Sequence, residues 1–315
     1  MDKVSTIITC YNDKRWVSSA IKSVINQTYR RFKIIIVDDG SNDGSHSVIK
    51  EYTDTEKVEV ICHSENKGLP AARNTGIRAA SGDLVAFLDA DDKWRPQKLR
   101  SQVQYMRETP EAGAVYSDFT RIDEAGEVIG KVRPLVFEPN SYLENLFIRG
   151  AGIVPSSIMV RRDCFEEVGL FDEELDIKEE IEMWMRISSE YEIHHIGNIL
   201  VDKRKLKGSL GSDVKKAVKA ENKITKKMIS YYPHLRELVN KRKARINHSL
   251  ASYCLRNGET AKAQKCASES VKFDQMLVRA YVTLALASLP FGLGKKFMGI
   301  LRKARDRTRS FIYFW

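Results

Sequence analysis

The side chains best suited to chemistry follow a short apolar run at residues 84–88, where Asp89-Ala90-Asp91-Asp92 begins abruptly. Alternate residues of an extended segment share a face, so Asp89 and Asp91 are predicted to point together and Asp92 to point outward, away from them. Two converging carboxylates repel each other unless a cation lies between them, and hard oxygen ligands select Mg²⁺ or Mn²⁺. Such a cation would neutralise charge on a leaving nucleoside diphosphate. The alternative is a solvated acidic turn before a helix.

Polar side chains also follow the first two predicted strands. The first strand ends in Thr9-Cys10-Tyr11-Asn12 and the second in Asp38-Asp39-Gly40-Ser41. A carboxylate fixed at a strand end can accept a hydrogen bond from a nucleobase imide N–H, and Tyr11 can stack on the base. Alternatively, Asp38 and Asp39 only cap or solvate a loop, so this motif carries little weight alone.

A third segment, from Glu65 to Asn74, opens the helix after the third predicted strand. Gly68 and Pro70 suit a helix start, and the exposed amides there favour phosphate. Arg73, one turn inside, can clamp a diphosphate with two hydrogen bonds. The alternative is that Arg73 is an ordinary surface side chain.

Strands and helices alternate regularly in the first half of the chain. Farther along, a strand is predicted at residues 156–160, another strand carries His194 and His195, and helices are predicted at 163–168, 178–189, 242–256 and 259–273. In the first half, strands are predicted at residues 4–9, 32–37, 58–62, 84–88 and 114–117, and helices at 16–27, 45–52, 69–80 and 96–108. Such alternation predicts βαβ units and a mainly parallel sheet covered on both faces. Ligands bind at the carboxyl ends of the strands in these sheets, which is where the polar motifs lie.

Charge is distributed unevenly along the 315 residues. Residues 202–315 contain 27 Lys and Arg against 8 Asp and Glu, whereas residues 1–201 contain 25 against 34. An acidic body with a basic tail is not typical of a nucleic-acid-binding protein, so no nucleic-acid partner is expected. The tail is expected to meet a polyanion, such as an anionic membrane surface or a phosphate-bearing acceptor.

Cysteine usage and the N-terminus favour a cytoplasmic protein, or one bound peripherally at the inner face of the membrane. The five cysteines show no CxxC or His–Cys spacing, which predicts reduced thiols and no zinc site. Met1-Asp2-Lys3 runs directly into an apolar segment, so no signal peptide is expected. The longest apolar stretch, residues 280–294, is too short for a membrane span.

Four motifs, in this order and spacing, resemble glycosyltransferase family 2. They are residues 4–12, Asp38-Asp39-Gly40-Ser41, the Asn-Lys-Gly…Ala-Arg-Asn segment and the Asp-Ala-Asp-Asp motif. The resemblance, which covers roughly residues 1–210, implies the α/β fold called GT-A, with a Rossmann-like, mixed, mainly parallel sheet and helices on both faces. It also implies an inverting transferase that uses a nucleotide-diphosphate sugar, with a UDP-sugar the expected donor, and Mn²⁺ or Mg²⁺.

The resemblance also assigns roles within the donor site. Thr9, Tyr11 and Asp39 would contact the nucleoside. Asp89 would lie beside the ribose and the metal, and Asp91 would be the principal metal ligand. Ala90 and Arg73 complete the predicted nucleotide-sugar-binding set.

Inversion requires a carboxylate base that takes the acceptor hydroxyl proton during attack on the anomeric carbon. The family often supplies it from a Glu-Asp-x-Asp-Leu-Trp-Leu-Arg segment, and residues 179–186 read Glu-Glu-Ile-Glu-Met-Trp-Met-Arg. The second position, normally Asp, is Glu180 here, with one more methylene. Glu180 is the predicted base, and Glu179 could substitute. Alternatively, these acids form an ordinary helix N-terminus favoured by the macrodipole.

A second departure from the family follows the last predicted strand. Many relatives have Tyr-Arg-x-His where this chain has Lys203-Arg204-Lys205-Leu206, so a His that helps to bind metal or diphosphate is missing. Lys205 or Lys207 is predicted to supply the charge instead, unless the site closes differently. His194 and His195 lie on a predicted strand and offer no obvious replacement.

Two regions are predicted: a GT-A domain at residues 1–210, with a donor half (1–118) and an acceptor half (119–210), and a basic helical extension at 211–315. Residues 276–315 mix apolar runs with basic side chains, which suits an interfacial segment on anionic lipid. The alternatives for this tail are a packed helical end or a dimer contact.

The favoured function is a metal-dependent inverting transfer of sugar to a glycan or lipid-linked acceptor in cell-surface polysaccharide synthesis. The alternatives are a catalytically impaired nucleotide-sugar-binding protein and a sugar nucleotidyltransferase. The nucleotidyltransferase commonly has a Gly-rich loop after its first strand, and residues 9–12 contain no glycine.

Overall fold

The first four predicted strands lie side by side in the computed structural model, which describes residues 3–53, 56–206 and 214–289. They are β1 (Val4–Cys10), β2 (Phe32–Asp38), β3 (Val58–Cys62) and β4 (Leu84–Asp89), which pair in parallel in the order β3-β2-β1-β4. Parallel strands covered on both faces can be apolar at nearly every position, and every residue of β1 is buried.

Five further strands extend this sheet and make it mixed. They are β5 (Lys93–Trp94), β6 (Ala112–Ile122), β7 (Val128–Val132), β8 (Ile158–Arg161) and β9 (Glu192–Arg204). β8 runs antiparallel to β4 and β6, and β9 runs parallel to β6. Within the described residues, most paired positions lie in parallel ladders, which agrees with the predicted mixed, mainly parallel sheet.

Among the strands, the five that extend the sheet, β5 to β9, differ most from the prediction. β6 is longer than the predicted residues 114–117, and β8 begins at Ile158 because residues 155–157 form a single 3₁₀ turn. The β6–β9 ladder changes register near Ala112 and again on both sides of Asp118. Such bulges interrupt the alternation of buried and exposed side chains on which a strand prediction depends.

The carboxyl ends of the first four strands finish at one level. Thr9 lies opposite both Val37 on β2 and Asp89 on β4, and Cys10 lies opposite Asp38. Asp38 in turn lies opposite Cys62, the last residue of β3. This register brings the polar motifs from distant parts of the sequence to one edge of the sheet.

Seven helices within residues 3–206 connect or follow these strands, and the six that were predicted begin and end within two residues of their predicted bounds. They are α1 (Val17–Ile25), α2 (Ser45–Lys50), α3 (Leu69–Ala79), α4 (Lys98–Glu108), α5 (Tyr142–Arg149), α6 (Arg162–Val168) and α7 (Glu179–Glu190), of which α5 was not predicted. Gly68 precedes α3 with φ +94°, a conformation that favours glycine, and Pro70 lies in the first turn.

The helical extension that the sequence predicts is also present. It contains α8 (Val214–Tyr231), α9 (Val239–Asn257), α10 (Thr260–Phe273) and α11 (Val278–Ala287). The predicted helix pair is α9 and α10, separated at Gly258 with φ +83°. Inside this extension the buried Arg242 donates to the Thr225 hydroxyl (2.8 Å) and pairs with Glu221, so its charge is compensated.

The chain divides into two compact units. Of the described residues, one unit holds 3–143 and 151–206, and the other holds 144–150 and 214–289. The prediction had placed residues 144–150 in the first region. The predicted boundary after residue 210 lies outside the described residues, as do Lys207 and the tail from residue 290 onward.

A membrane span requires a long, apolar helix, and none occurs in the part of the chain that the structure describes.

Close packing between α3 and β1 should exclude a side chain at Gly76. A Cβ there would lie 2.4 Å from Cγ2 of the buried Ile7. Overpacking a core typically costs about 1–3 kcal/mol, so we expect Gly76→Ala to lower the free energy of unfolding by that amount in a urea titration. Gly130→Ala is the control, because nothing lies within 4 Å of a Cβ at that position. Equal stability of the two variants would contradict the close packing.

Candidate active site

Three carboxylates meet where β4 ends. Asp89 is the last residue of the strand, and the backbone then turns so that the N–H of Asp92 donates to the carbonyl of Asp89 at 3.0 Å. One carboxylate oxygen from each of Asp89, Asp91 and Asp92 lies within 4.8 Å of the others. We call these three residues the aspartate cluster.

The prediction that Asp92 points outward is wrong. Its side chain is fully buried, with the Ser156 hydroxyl donating to one carboxylate oxygen (2.6 Å) and the Arg204 backbone N–H to the other (2.8 Å). The alternation rule holds for extended backbone, but the chain leaves the strand conformation after Asp89. The turn therefore brings the third acid towards the other two.

The members of the aspartate cluster differ in their electrostatics. Burial, followed by the charges of Asp92 and Asp89, raises the pKa of Asp91 to about 8. Burial also acts to raise the pKa of Asp89, but the charges of Arg73 and Lys203 outweigh it and hold that pKa below its ordinary value. Ionisation of Asp91 is therefore disfavoured until further positive charge is supplied nearby.

This donor set fits a hard divalent cation. Three carboxylate oxygens within 4.8 Å of one another can be reached by one ion, and oxygen ligands are those that Mg²⁺ and Mn²⁺ prefer. A dication among these groups would offset the repulsion that raises the pKa of Asp91. The predicted metal ligands Asp89 and Asp91 are thus brought together, and Asp92 joins them.

A fourth acid near this cluster was missed from the sequence. Burial, and to a smaller extent the charges of Asp89, Asp43 and Asp92, raises the pKa of Asp13 to about 6. Asp13 follows the end of β1, and its backbone N–H donates to the Ser45 hydroxyl at 2.9 Å. The signal available in the sequence was its position one residue beyond the Thr9–Asn12 motif.

Lys203 is a basic residue that faces the aspartate cluster. Its Nζ lies 3.3 Å from Asp92 Oδ2 and 3.6 Å from Asp89 Oδ2. Although burial opposes its charge, these carboxylates raise the pKa of Lys203. The prediction had named Lys205 or Lys207 for this charge. Lys205 is exposed and Lys207 lies outside the described residues, so Lys203 is the lysine that the structure assigns to the site.

Arg73 connects the aspartate cluster to α7. The guanidinium is almost fully buried, and its Nη2 donates to Asp89 Oδ1 at 3.0 Å while Nη1 donates to Glu179. Its third nitrogen, Nε, has no hydrogen-bond partner among the described residues. The centroid of the Phe171 ring lies 5.5 Å from the guanidinium carbon Cζ. The alternative of a surface side chain is wrong, whereas contact with a diphosphate stays a prediction.

The two predicted base residues begin α7 and differ in their surroundings. Glu179 is buried and accepts from Arg73, whereas Glu180 is partly exposed. Burial, followed by the charge of Glu179, raises the pKa of Glu180 to about 8, although Arg73 and Lys178 oppose this. A carboxylate with a raised pKa is a stronger proton acceptor, so this environment suits a general base.

The predicted nucleoside contact Asp39 is held by backbone and by a histidine. Its carboxylate accepts from the N–H groups of Lys67 (3.0 Å) and Gly68 (2.9 Å), and its Oδ1 lies 2.6 Å from His63 Nδ1. The other ring nitrogen of His63 lies 2.9 Å from the Thr75 hydroxyl. His63 was missed because a single histidine after a strand carries no distinctive spacing.

The remaining predicted donor-site residues lie beside the aspartate cluster in the sheet. Thr9 is buried opposite Asp89, and its carbonyl accepts from the backbone N–H of Ala90 at 3.1 Å. Tyr11 is 45% exposed, which leaves its ring accessible for stacking. The structure therefore gathers the donor-site residues at one end of the sheet, whereas their individual contacts with a ligand stay predictions.

Comparison with known proteins shows which family the chain resembles. The profile described as glycosyl transferase family 2 matches residues 5–169. A glucosyltransferase of Escherichia coli, WfgD, is 29% identical over 221 residues, which are 69% of this chain and 83% of WfgD. The putative teichuronic acid biosynthesis glycosyltransferase TuaG of Bacillus subtilis is 26% identical over 69% of this chain and 84% of its own.

Other relatives are much longer than this chain. An uncharacterized glycosyltransferase of Rickettsia bellii is 33% identical over 187 residues, which are 59% of this chain but 26% of that protein. In two further Rickettsia relatives the chain covers 34% of their length.

Solved structures show the same fold. S. aureus TarS, residues 1–349, superimposes with a TM-score of 0.63 at 15% identity, covering 95% of this chain and 91% of that one. The mannosyltransferase PcManGT of Pyrobaculum calidifontis gives a TM-score of 0.61 at 15% identity, covering 98% and 88%. These likenesses confirm the predicted GT-A fold. The match over residues 5–169 shows that the chain belongs to glycosyl transferase family 2.

Proposed function

We propose that this glycosyltransferase moves a sugar from a UDP-sugar to a glycan or lipid-linked acceptor, with inversion and with Mn²⁺ or Mg²⁺ as cofactor. The observation that carries the proposal is the convergence of Asp89, Asp91 and Asp92 within 4.8 Å at the carboxyl end of β4. Arg73 joins this cluster to Glu179 at the start of α7, which supports placing the metal and the base on either side of one guanidinium.

The relatives support the choice of substrates. The name of WfgD describes transfer of glucose from UDP-Glc to a diphosphoundecaprenol-linked GlcNAc, and TuaG is named for teichuronic acid biosynthesis. TarS has been solved with UDP and with UDP-GlcNAc, and PcManGT with GDP-Man and Mn²⁺. For this chain we therefore propose a role in cell-surface polysaccharide assembly. Attachment to the inner face of a membrane stays a prediction.

On the donor side, Asp91 and Asp89 would hold the metal, with Asp92 as a further carboxylate. When bound, the ion would neutralise charge developing on the leaving nucleoside diphosphate. Lys203 lies beside the same carboxylates and can turn its ammonium towards a diphosphate once a dication offsets them. Tyr11, Thr9 and Asp39 would bind the nucleoside at the neighbouring strand ends.

On the acceptor side, Glu180 would act as the base. The acceptor hydroxyl oxygen forms a bond to the anomeric carbon while the bond from that carbon to the diphosphate oxygen breaks, and the hydroxyl proton passes to Glu180. A single displacement of this kind inverts the anomeric configuration. Glu179 is engaged by Arg73, so it serves to position that guanidinium.

The metal and donor sites can be tested together by thermal shift. We expect a UDP-sugar to raise the melting temperature by a few degrees only when Mn²⁺ is present, because both bind the native state. Asp91→Asn should abolish this shift and lower transfer, followed by released nucleotide, at least about 100-fold. The exposed Asp163→Asn is the matched control. Metal-dependent stabilisation by GDP- or dTDP-sugars alone would contradict the choice of UDP, and an active Asp91→Asn would contradict the metal site.

The pKa of about 8 for Glu180 predicts a pH profile. A base accepts a proton only when it is deprotonated, so kcat/KM should be level above pH 8 and fall about tenfold per unit below it. Glu180→Gln should lose about 100-fold or more in kcat, whereas Glu111→Gln, an exposed acid, should retain the wild-type profile. A flat wild-type profile between pH 6 and 9 would argue against Glu180 as the base.

Removal of the Lys203 ammonium should strengthen Mn²⁺ binding to the nucleotide-free protein. Lys203 offsets the charge of Asp89 and Asp92, so it competes with a dication for them. We expect Lys203→Met to lower the Kd for Mn²⁺ about tenfold, or roughly 1.4 kcal/mol, measured by electron paramagnetic resonance of free Mn²⁺. The exposed Lys205→Met is the control. The same change in both variants, or none in Lys203→Met, would be inconsistent with this competition.

A further inference from the structure

A second group of ligand-type side chains lies at the ends of β2 and β3, with no member in the aspartate cluster. Asp38, His46 and Cys62 each present one ligand atom, and these atoms lie within 4.8 Å of one another. The sequence spacing predicted no zinc site, because spacing rules detect ligands that are close in the chain. Here the three ligands come from two strands and a helix.

The two distances from His46 match those of a tetrahedral zinc shell, and the third pair, Asp38 and Cys62, lies within 4.8 Å. His46 Nδ1 lies 3.3 Å from Asp38 Oδ2 and 3.4 Å from Cys62 Sγ. With Zn–N and Zn–O bonds near 2.0–2.1 Å and a Zn–S bond near 2.3 Å, tetrahedral angles give edges of about 3.3 Å for N···O and about 3.5 Å for N···S. Both distances from His46 therefore already have the spacing that one ion requires.

In this group the acid and the thiol both contact the same ring nitrogen of His46. Both Asp38 and Cys62 approach Nδ1 of His46. A thiol–imidazole–carboxylate relay of the kind found in nucleophilic enzymes uses the two ring nitrogens in series, one towards the thiol and the other towards the acid. Here the acid and the thiol share one ring nitrogen, and the three ligand atoms lie within 4.8 Å of one another, which suits a metal ion better than a relay.

The main-chain positions of the ligands are fixed by the fold. Asp38 and Cys62 are paired residues of adjacent parallel strands. Asp38 Oδ1 accepts from the Ser41 backbone N–H at 3.1 Å, which leaves Oδ2 directed at His46. The residue before His46 is the buried Ser45, which accepts from the backbone N–H of Asp13 at 2.9 Å. Such outer contacts orient metal ligands before the ion arrives.

We propose that Asp38, His46 and Cys62 bind one Zn²⁺ with a fourth position open to water, and that this ion clamps α2 to the ends of β2 and β3. A thiolate, imidazole and carboxylate set selects zinc over Mg²⁺ or Mn²⁺, which distinguishes this site from the all-oxygen aspartate cluster. Cys62 is exposed and His46 partly exposed, so an ion can enter from solvent.

The clamp would stabilise the loop beside the nucleoside site. The loop between β2 and α2 contains Ser41, whose hydroxyl accepts from the Asn12 backbone N–H at 3.0 Å, and Asn42, whose N–H donates to Asn12 Oδ1 at 2.9 Å. Asn12 neighbours Tyr11, and the loop begins at Asp39. Zinc bound to Asp38 and His46 would therefore fix both ends of this loop. The loop supports Tyr11 and Asp39, which are predicted to contact the nucleoside.

The first test uses Co²⁺ as a spectroscopic substitute on the full chain under reducing conditions. We expect one equivalent to give the near-ultraviolet charge-transfer band of a cobalt–thiolate bond. Cys62→Ser should abolish the band, and His46→Ala and Asp38→Asn should weaken Co²⁺ binding by more than about tenfold. Cys266→Ser and Asp91→Ala are controls that should keep it. A band that survives Cys62→Ser, or unchanged affinity in both other ligand variants, would overturn the proposal.

The second test needs no variant, so misfolding of a substituted protein cannot obscure it. The exposed Cys62 should be alkylated by iodoacetamide in metal-free wild type, and one equivalent of Zn²⁺ should slow this at least about tenfold. Cys266, which is partly exposed, is the internal control and should react at the same rate with and without Zn²⁺. Equal protection of both cysteines, or of neither, would overturn the site. Because Asp91→Ala leaves these ligands intact, failure here is distinguishable from failure of the proposed transferase activity.

Discussion

Mutual repulsion among the carboxylates at the end of β4 is the constraint on which the rest of the site depends. Asp89, Asp91 and Asp92 lie within 4.8 Å of one another, and this crowding with burial raises the pKa of Asp91 to about 8. Positive charge must therefore be supplied nearby, and Arg73 and Lys203 supply part of it. Among the described residues, Asp91 still lacks sufficient compensating positive charge, and this makes the site suited to a dication.

The same need for compensation links the two halves of the site. Arg73 is buried with one nitrogen on Asp89 and another on Glu179, so its charge is shared between the donor cluster and α7. A cation that neutralises Asp89 would leave more of the Arg73 charge to act on Glu179 and Glu180. Arg73 therefore provides a direct electrostatic connection between the two halves.

Much of the donor half could be predicted from sequence because its signals are local. Apolar runs mark β1, β2 and β4, and the polar residues that follow them must lie at one sheet edge if the strands are parallel. Family resemblance added the roles of Asp39 and Asp91. The errors arose where the backbone departs from regular geometry. The side chain of Asp92 points inward because the strand ends at Asp89. Strand β6 is longer than predicted, and its pairing with β9 contains bulges.

The sequence by itself determined the αβ alternation, the acidic motif after β4, the acids that begin α7 and the membership of a glycosyltransferase family. Only the tertiary structure decided that Lys203, rather than Lys205, faces the aspartate cluster, and that Asp38, His46 and Cys62 meet. The reason is that periodicity reports the neighbours of a residue along its own strand or helix. The side chains it meets across the sheet depend on strand register, which is set by long-range pairing and by bulges.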